Sequence, residues 1–139
     1  MAQTQKPTKL GYGEIGRRMA ATGETGGSCV KSVVGLTGAC TASEDSTFAN
    51  PGGATKLAAN GFALTDADTV AVSTTSVTDD TVELDHVFTA TGAQSVSGFA
   101  IENDDDDVVF AECCFDAALA METNDTLTVE MKQQFKLGA

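Results

Sequence analysis

The closing stretch "TLTVEMKQQFKL" (126–137) constrains the fold more than any other part of the chain. Leu127, Val129, Met131, Phe135 and Leu137 fall on one parity; Thr128, Glu130, Lys132, Gln134 and Lys136 fall on the other, and Gln133 is the sole break. Side chains of an extended chain point alternately to opposite faces, so this period of two reads as a strand with one buried face. In "TVELDHVFTA" (81–90), Val82, Leu84, His86 and Phe88 share a face in the same way, and in "SVSGFAIE" (95–102) Phe99 and Ile101 do so. "VVFAECCF" (108–115) is apolar on both parities, as expected of a central strand covered on both sides. "SCVKSVVGL" (28–36) and "DTVAVSTTSV" (68–77) add two more strands, and "ATKLAANGFALT" (54–65) is either a strand kinked at Gly61 or a short helix. "GACTASEDSTFANPGG" (38–53) reads as a long loop ending in a turn signal, and "AALAMETND" (117–125) as a loop with at most a helical turn.

Seven or so short strands with turn signals every eight to twelve residues predict an all-β, antiparallel β-sandwich or jelly-roll-like fold. With 139 residues and 42% hydrophobic content, the chain suffices for one domain with one core. The expected boundaries are an irregular N-terminal arm over 1–27, rich in glycine and holding most of the basic residues, and a sandwich domain over 28–139. The arm is expected either to pack on something else, such as a neighbouring subunit, or to be a loose tail. No apolar run nears the ~20 residues of a membrane span, and no secretory signal is visible, so no membrane partner is expected.

Charge narrows the partners. Twenty acidic residues against 8 basic ones leave a net charge of -12, which repels phosphate backbones and argues against direct nucleic-acid binding. Such acidity serves solubility, or adaptation to high salt, although lysines outnumber arginines among the basic residues.

The stretches that could carry chemistry are few. Asp104, Asp105, Asp106 and Asp107 are consecutive between two strand-like runs. Aspartate is ordinary in turns; four together would also gain from a Ca²⁺ or Mg²⁺ ion that relieves their repulsion, although the spaced pattern of a calcium loop is missing. A solvated turn is the first expectation and a structural cation at these four residues the second; no other cofactor is expected. The cysteines lack C-x-x-C spacing; Cys113 and Cys114 are neighbours on a strand, expected to face opposite sides and to pack as small core residues. Cys29 and Cys40 could meet across a loop as a disulfide, but free thiols are the expectation without a signal sequence. His86 cannot easily be oriented by the adjacent Asp85, so a structural histidine is expected. No serine elbow, P-loop or dinucleotide fingerprint occurs, and the chain is read as non-enzymatic with no catalytic residues.

Several phrases, in order, carry a likeness: "VVGLTG" (33–38), "EDSTF" (44–48), "VELDHVFTATGAQSVSGFAIEN" (82–103), "VVFAECCF" (108–115) and "NDTLTVEM" (124–131). Their succession resembles small β-sandwich virion proteins of tailed bacteriophages and tailed archaeal viruses, over roughly residues 28–137. The chain departs from that pattern at Phe48, where a leucine would stand, and in its tetra-aspartate loop. The resemblance implies a virion structural protein, a capsid decoration or turret component that forms a homo-oligomer around a symmetry axis. Its partners would be the major capsid protein or other virion proteins, and the basic arm, with Arg17 and Arg18, would anchor it to an acidic lattice. The alternative from another class is a carbohydrate- or receptor-binding sandwich of a tail, fibre or adhesin, using Tyr12 or Phe48.

Overall fold

The computed structural model describes residues 2–11, 13, 15, 28–105 and 107–135. Among the described residues, nine strands follow in chain order: β1 (Gln3–Pro7), β2 (Ser32–Thr37), β3 (Thr55–Lys56), β4 (Thr65–Asp66), β5 (Thr69–Ser73), β6 (Thr81–Thr89), β7 (Gln94–Glu102), β8 (Val109–Met121) and β9 (Thr126–Gln134). All their pairings are antiparallel. The larger sheet runs β1-β8-β7-β2-β3, with β4 also pairing β2; the smaller runs β5-β6-β9. The protein is therefore an all-β sandwich.

The alternating strands build its interior as their parity dictates. Leu84, Phe88 and Val129 of the small sheet pack against Val33, Phe99, Ile101 and Cys113 of the large one. Phe62 enters from the β3–β4 connection and meets Phe88 with ring centroids 5.4 Å apart. The two-sided β8 sits between β1 and β7. Its second face belongs to a separate apolar cluster of Val34, Leu36, Ala54, Ala100 and Val109, roofed by Cys40 and Phe48 of the 38–54 segment. Gly98 marks a bulge where β7 meets β8; a Cβ there would lie 2.2 Å from the Cys113 carbonyl oxygen.

Three local expectations change. Residues 117–121, read as loop, continue β8 to Met121, because the β7 register extends to Gln94↔Met121. The 54–65 segment is neither one strand nor a helix but two two-residue strands on β2, separated by a turn at Asn60 and Gly61. Part of the predicted arm belongs to the sandwich: Gln3–Pro7 pairs with β8 from Gln3↔Phe115 to Pro7↔Ala111. Thr8 follows, fully buried; its backbone N–H donates to the Phe110 carbonyl at 3.0 Å, and its hydroxyl donates to the Val109 carbonyl while the hydroxyl oxygen accepts the Gly11 N–H at 2.9 Å. This last contact caps a helical turn begun at residues 9–11.

Candidate functional site

The tetra-aspartate stretch is the turn between β7 and β8, and Asn103 organises it. Asn103 is fully buried; its Oδ1 accepts the N–H groups of Asp107 and Val108, both at 3.1 Å, and its Nδ2 donates to Asp107 Oδ1 at 2.7 Å. Asp104 Oδ1 lies 2.5 Å from Lys31 Nζ, which also approaches Asp66 at 3.8 Å. Asp104 and Asp107 thus turn to different partners, and Asp106 lies outside the described residues. Among the described residues, no group of three or more His, Cys, Asp or Glu side chains is placed to hold a metal ion. Arg17, Arg18 and Tyr12 also lie outside the described residues.

His86 is buried on the core face of β6, edge-on to Phe88 at 4.5 Å. Its acidic neighbour is not Asp85 but Asp68, whose Oδ2 lies 3.3 Å from Nδ1 and also accepts the Val87 N–H at 2.8 Å. The arrangement ties the start of β5 to β6.

The cysteines correct the sequence reading. Cys40 and Cys114 form a disulfide across a sequence separation of 74, while Cys29, the suggested partner of Cys40, is not part of it. Cys113 and Cys114 do face opposite sides, so only Cys114 can reach the 38–54 segment. Cys113 faces the core, donates to Gln3 Oε1 at 3.2 Å, and burial pushes its thiol up to about 11, which makes it a poor nucleophile near neutrality.

Two buried carboxylates went unnoticed in the sequence. Glu112 is 2% exposed; one oxygen accepts the Ser43 N–H at 2.6 Å and the Ser46 hydroxyl at 2.7 Å, and Ser46 Oγ in turn accepts the Gly52 N–H at 3.0 Å. Glu102, fully buried, is ion-paired with Lys56, whose ammonium lies 3.3 Å from the centre of the Phe48 ring. The signal was present: a lone glutamate inside "VVFAECCF" must find donors if that strand is covered on both faces. Both serve to hold the 38–57 segment on the large sheet, with the disulfide beside them. The stacking also occupies the Phe48 ring that a sugar would need.

Among the described residues, an apolar cleft and a sheet edge are open to a ligand or partner. A cleft of about 190 Å³ lies between β1 and β9, floored by Phe99, Ile101, Cys113 and Met131 and rimmed by Gln5 and Gln133. It is smaller than the roughly 300–1,000 Å³ of typical ligand pockets. At the other side of the small sheet, β5 is an edge strand whose Val70 and Val72 are 41% and 60% exposed. No protein-family model, curated protein or solved structure matches this chain.

Proposed function

We propose that this protein is a non-enzymatic structural component of a tailed-virus virion, a decoration or turret part of the capsid surface that works as a homo-oligomer. The observation that carries the reading is the bracing of the large sheet. A surface segment is held to β8 by a disulfide and a buried glutamate, and to β7 by a lysine packed between Glu102 and Phe48. Disulfides form and persist in oxidising surroundings, which suits a module that acts outside a cell. The ordered likeness of residues 28–137 to small virion sandwiches supports it, as does the net charge of -12, which favours a solvated outer surface. Arg17 and Arg18 would anchor the part to an acidic lattice, and the major capsid protein or other virion proteins would be its partners.

Sedimentation of the purified chain in molar salt with Mg²⁺ tests the reading. Screening of the acidic surfaces should yield a discrete oligomer. A monomer in all conditions, together with binding to immobilised glycans that is lost in Phe48→Ala, would move the assignment to a carbohydrate- or receptor-binding module.

A further inference from the structure

Strand β5 differs from every other sheet edge of the described molecule. The other edge strands carry a charge or a proline: Lys6 and Pro7 on β1, Lys56 on β3, Asp66 on β4, Glu130 and Lys132 on β9. Such residues keep sheet edges from pairing with other chains. The sequence of β5, TVAVS, has neither, and among the described residues no strand pairs with its outer side. The register Val70↔Leu84 and Val72↔Val82 puts both valines on the core-directed face. Leu84 is fully buried there, yet Val70 and Val72 are exposed, and Val77 in the following loop is 52% exposed. The core-directed apolar face thus extends beyond the core.

We propose that β5 is a homotypic docking edge, pairing antiparallel with β5 of a second copy about a two-fold axis through Ala71. A second copy fits this strip. Two chains of net charge -12 repel over most of their surfaces, and a strip that carries no charge of either sign lets them meet without placing carboxylate against carboxylate. The strip is also self-complementary. Under this axis Val70 faces the partner's Val72 and Thr69 faces the partner's Ser73, so apolar meets apolar and hydroxyl meets hydroxyl on each face. The two small sheets then become one continuous six-stranded sheet. Asp66 and Asp68 before the strand and Asp79 after it leave residual repulsion at its ends, so salt strengthens the contact. A pair of five-residue strands falls short of the roughly 1,200–2,000 Å² of a standard stable interface, so the contact is weak in dilute solution. It gains strength where copies are concentrated on a scaffold. The proposal deepens the homo-oligomeric part of the function above but stands on the strand itself.

Sedimentation equilibrium from about 10 µM to about 1 mM in molar salt reads the contact, with a dissociation constant expected near 0.1–1 mM. Val72→Lys should shift association out of this range, whereas Val87→Lys, at another exposed valine but on the outer face of β6, should leave it unchanged. In a Cys29→Ser background, Ala71→Cys should give a disulfide-linked dimer on mild oxidation and Val87→Cys should not, because only Ala71 lies opposite itself across the axis. A chain that stays monomeric to 1 mM, or equal cross-linking of the two cysteine variants, overturns the proposal. A trimer or pentamer insensitive to Val72→Lys also overturns it, while leaving the building-block function intact.

Discussion

The outer face of the large sheet and the free edge of the small sheet are both places where apolar strand residues meet the molecular surface, and the chain treats them in opposite ways. Over the large sheet, Val34, Leu36, Ala100 and Val109 are sealed by the 38–57 segment, which costs two buried carboxylates and a dedicated disulfide. At β5, Val70 and Val72 are exposed, with no covering segment among the described residues. An apolar surface that a protein covers at the cost of burying charge is one it needs sealed to stay folded. One left open in an otherwise highly charged chain is tolerable only if it is small or has an occupant. The contrast separates a region that supports stability from one available for association.

The sharpest way to break this comparison is to remove the brace. Chain-entropy arguments assign roughly 4 kcal/mol to a disulfide that closes a loop of this length. Cys114→Ala, or reduction of the wild type, should therefore lower unfolding free energy in urea by about 2–5 kcal/mol. Equal stability with and without reductant would mean that the segment is held by its polar contacts alone. Thiol labelling of the unreduced, denatured chain should modify Cys29 and Cys113 but not Cys40 or Cys114.

A smaller loss is expected from Ser46→Ala. It deprives buried Glu112 of one of its two donors and the Gly52 N–H of its acceptor, for a cost of about 1–3 kcal/mol. Gly52 adds a steric check on the same site: its φ is +61°, and a Cβ would lie 2.8 and 2.9 Å from the sulfurs of Cys114 and Cys40. Gly52→Ala should thus lower the melting temperature, while Gly53→Ala, where a Cβ meets nothing within 4 Å, should cost only backbone strain.

The loop that follows β5 offers a pH-dependent test of the open side. Asp80 accepts the Gln134 side-chain amide at 2.9 Å and the N–H groups of Thr75, Ser76 and Val77 at 2.8–3.0 Å. These donors, the Gln134 amide foremost, hold its carboxyl far below the usual carboxylate range. A depressed folded-state pKa contributes stability that is fully present above the unfolded value, near 4, and lost as pH falls below it. Wild type should accordingly exceed Asp80→Asn in thermal stability at neutral pH, and the gap should narrow on acidification below about pH 4. A gap that stays constant with pH would show that Asp80 acts through shape rather than charge.

The smallest effect is the most telling for the comparison. Val72→Lys should change monomer unfolding free energy by no more than about 0.5 kcal/mol, because its side chain is already mostly in water. A loss as large as that of Ser46→Ala would mean that β5 belongs to the folding core and is not a surface held in reserve.

What was legible in the sequence follows from side-chain parity. The period of two in β6, β7 and β9 placed Leu84, Phe88, Phe99, Ile101 and Val129 in the core, because a one-residue slip would turn every one of them to solvent. The two-sided character of β8 predicted its central position. The same logic showed that Cys113 and Cys114 diverge. Parity is silent on which distant segment meets each face, so it could not pair Cys114 with Cys40, put Asp68 rather than Asp85 beside His86, or show that Glu112 has two donors from the 38–54 segment. Nor could it show that Val70 and Val72, as apolar and as regularly spaced as Leu84 and Phe88, stand outside the core. Alternation records which way a side chain points. Only the stacking of the two sheets and the path of the covering loop decide whether anything lies there to meet it.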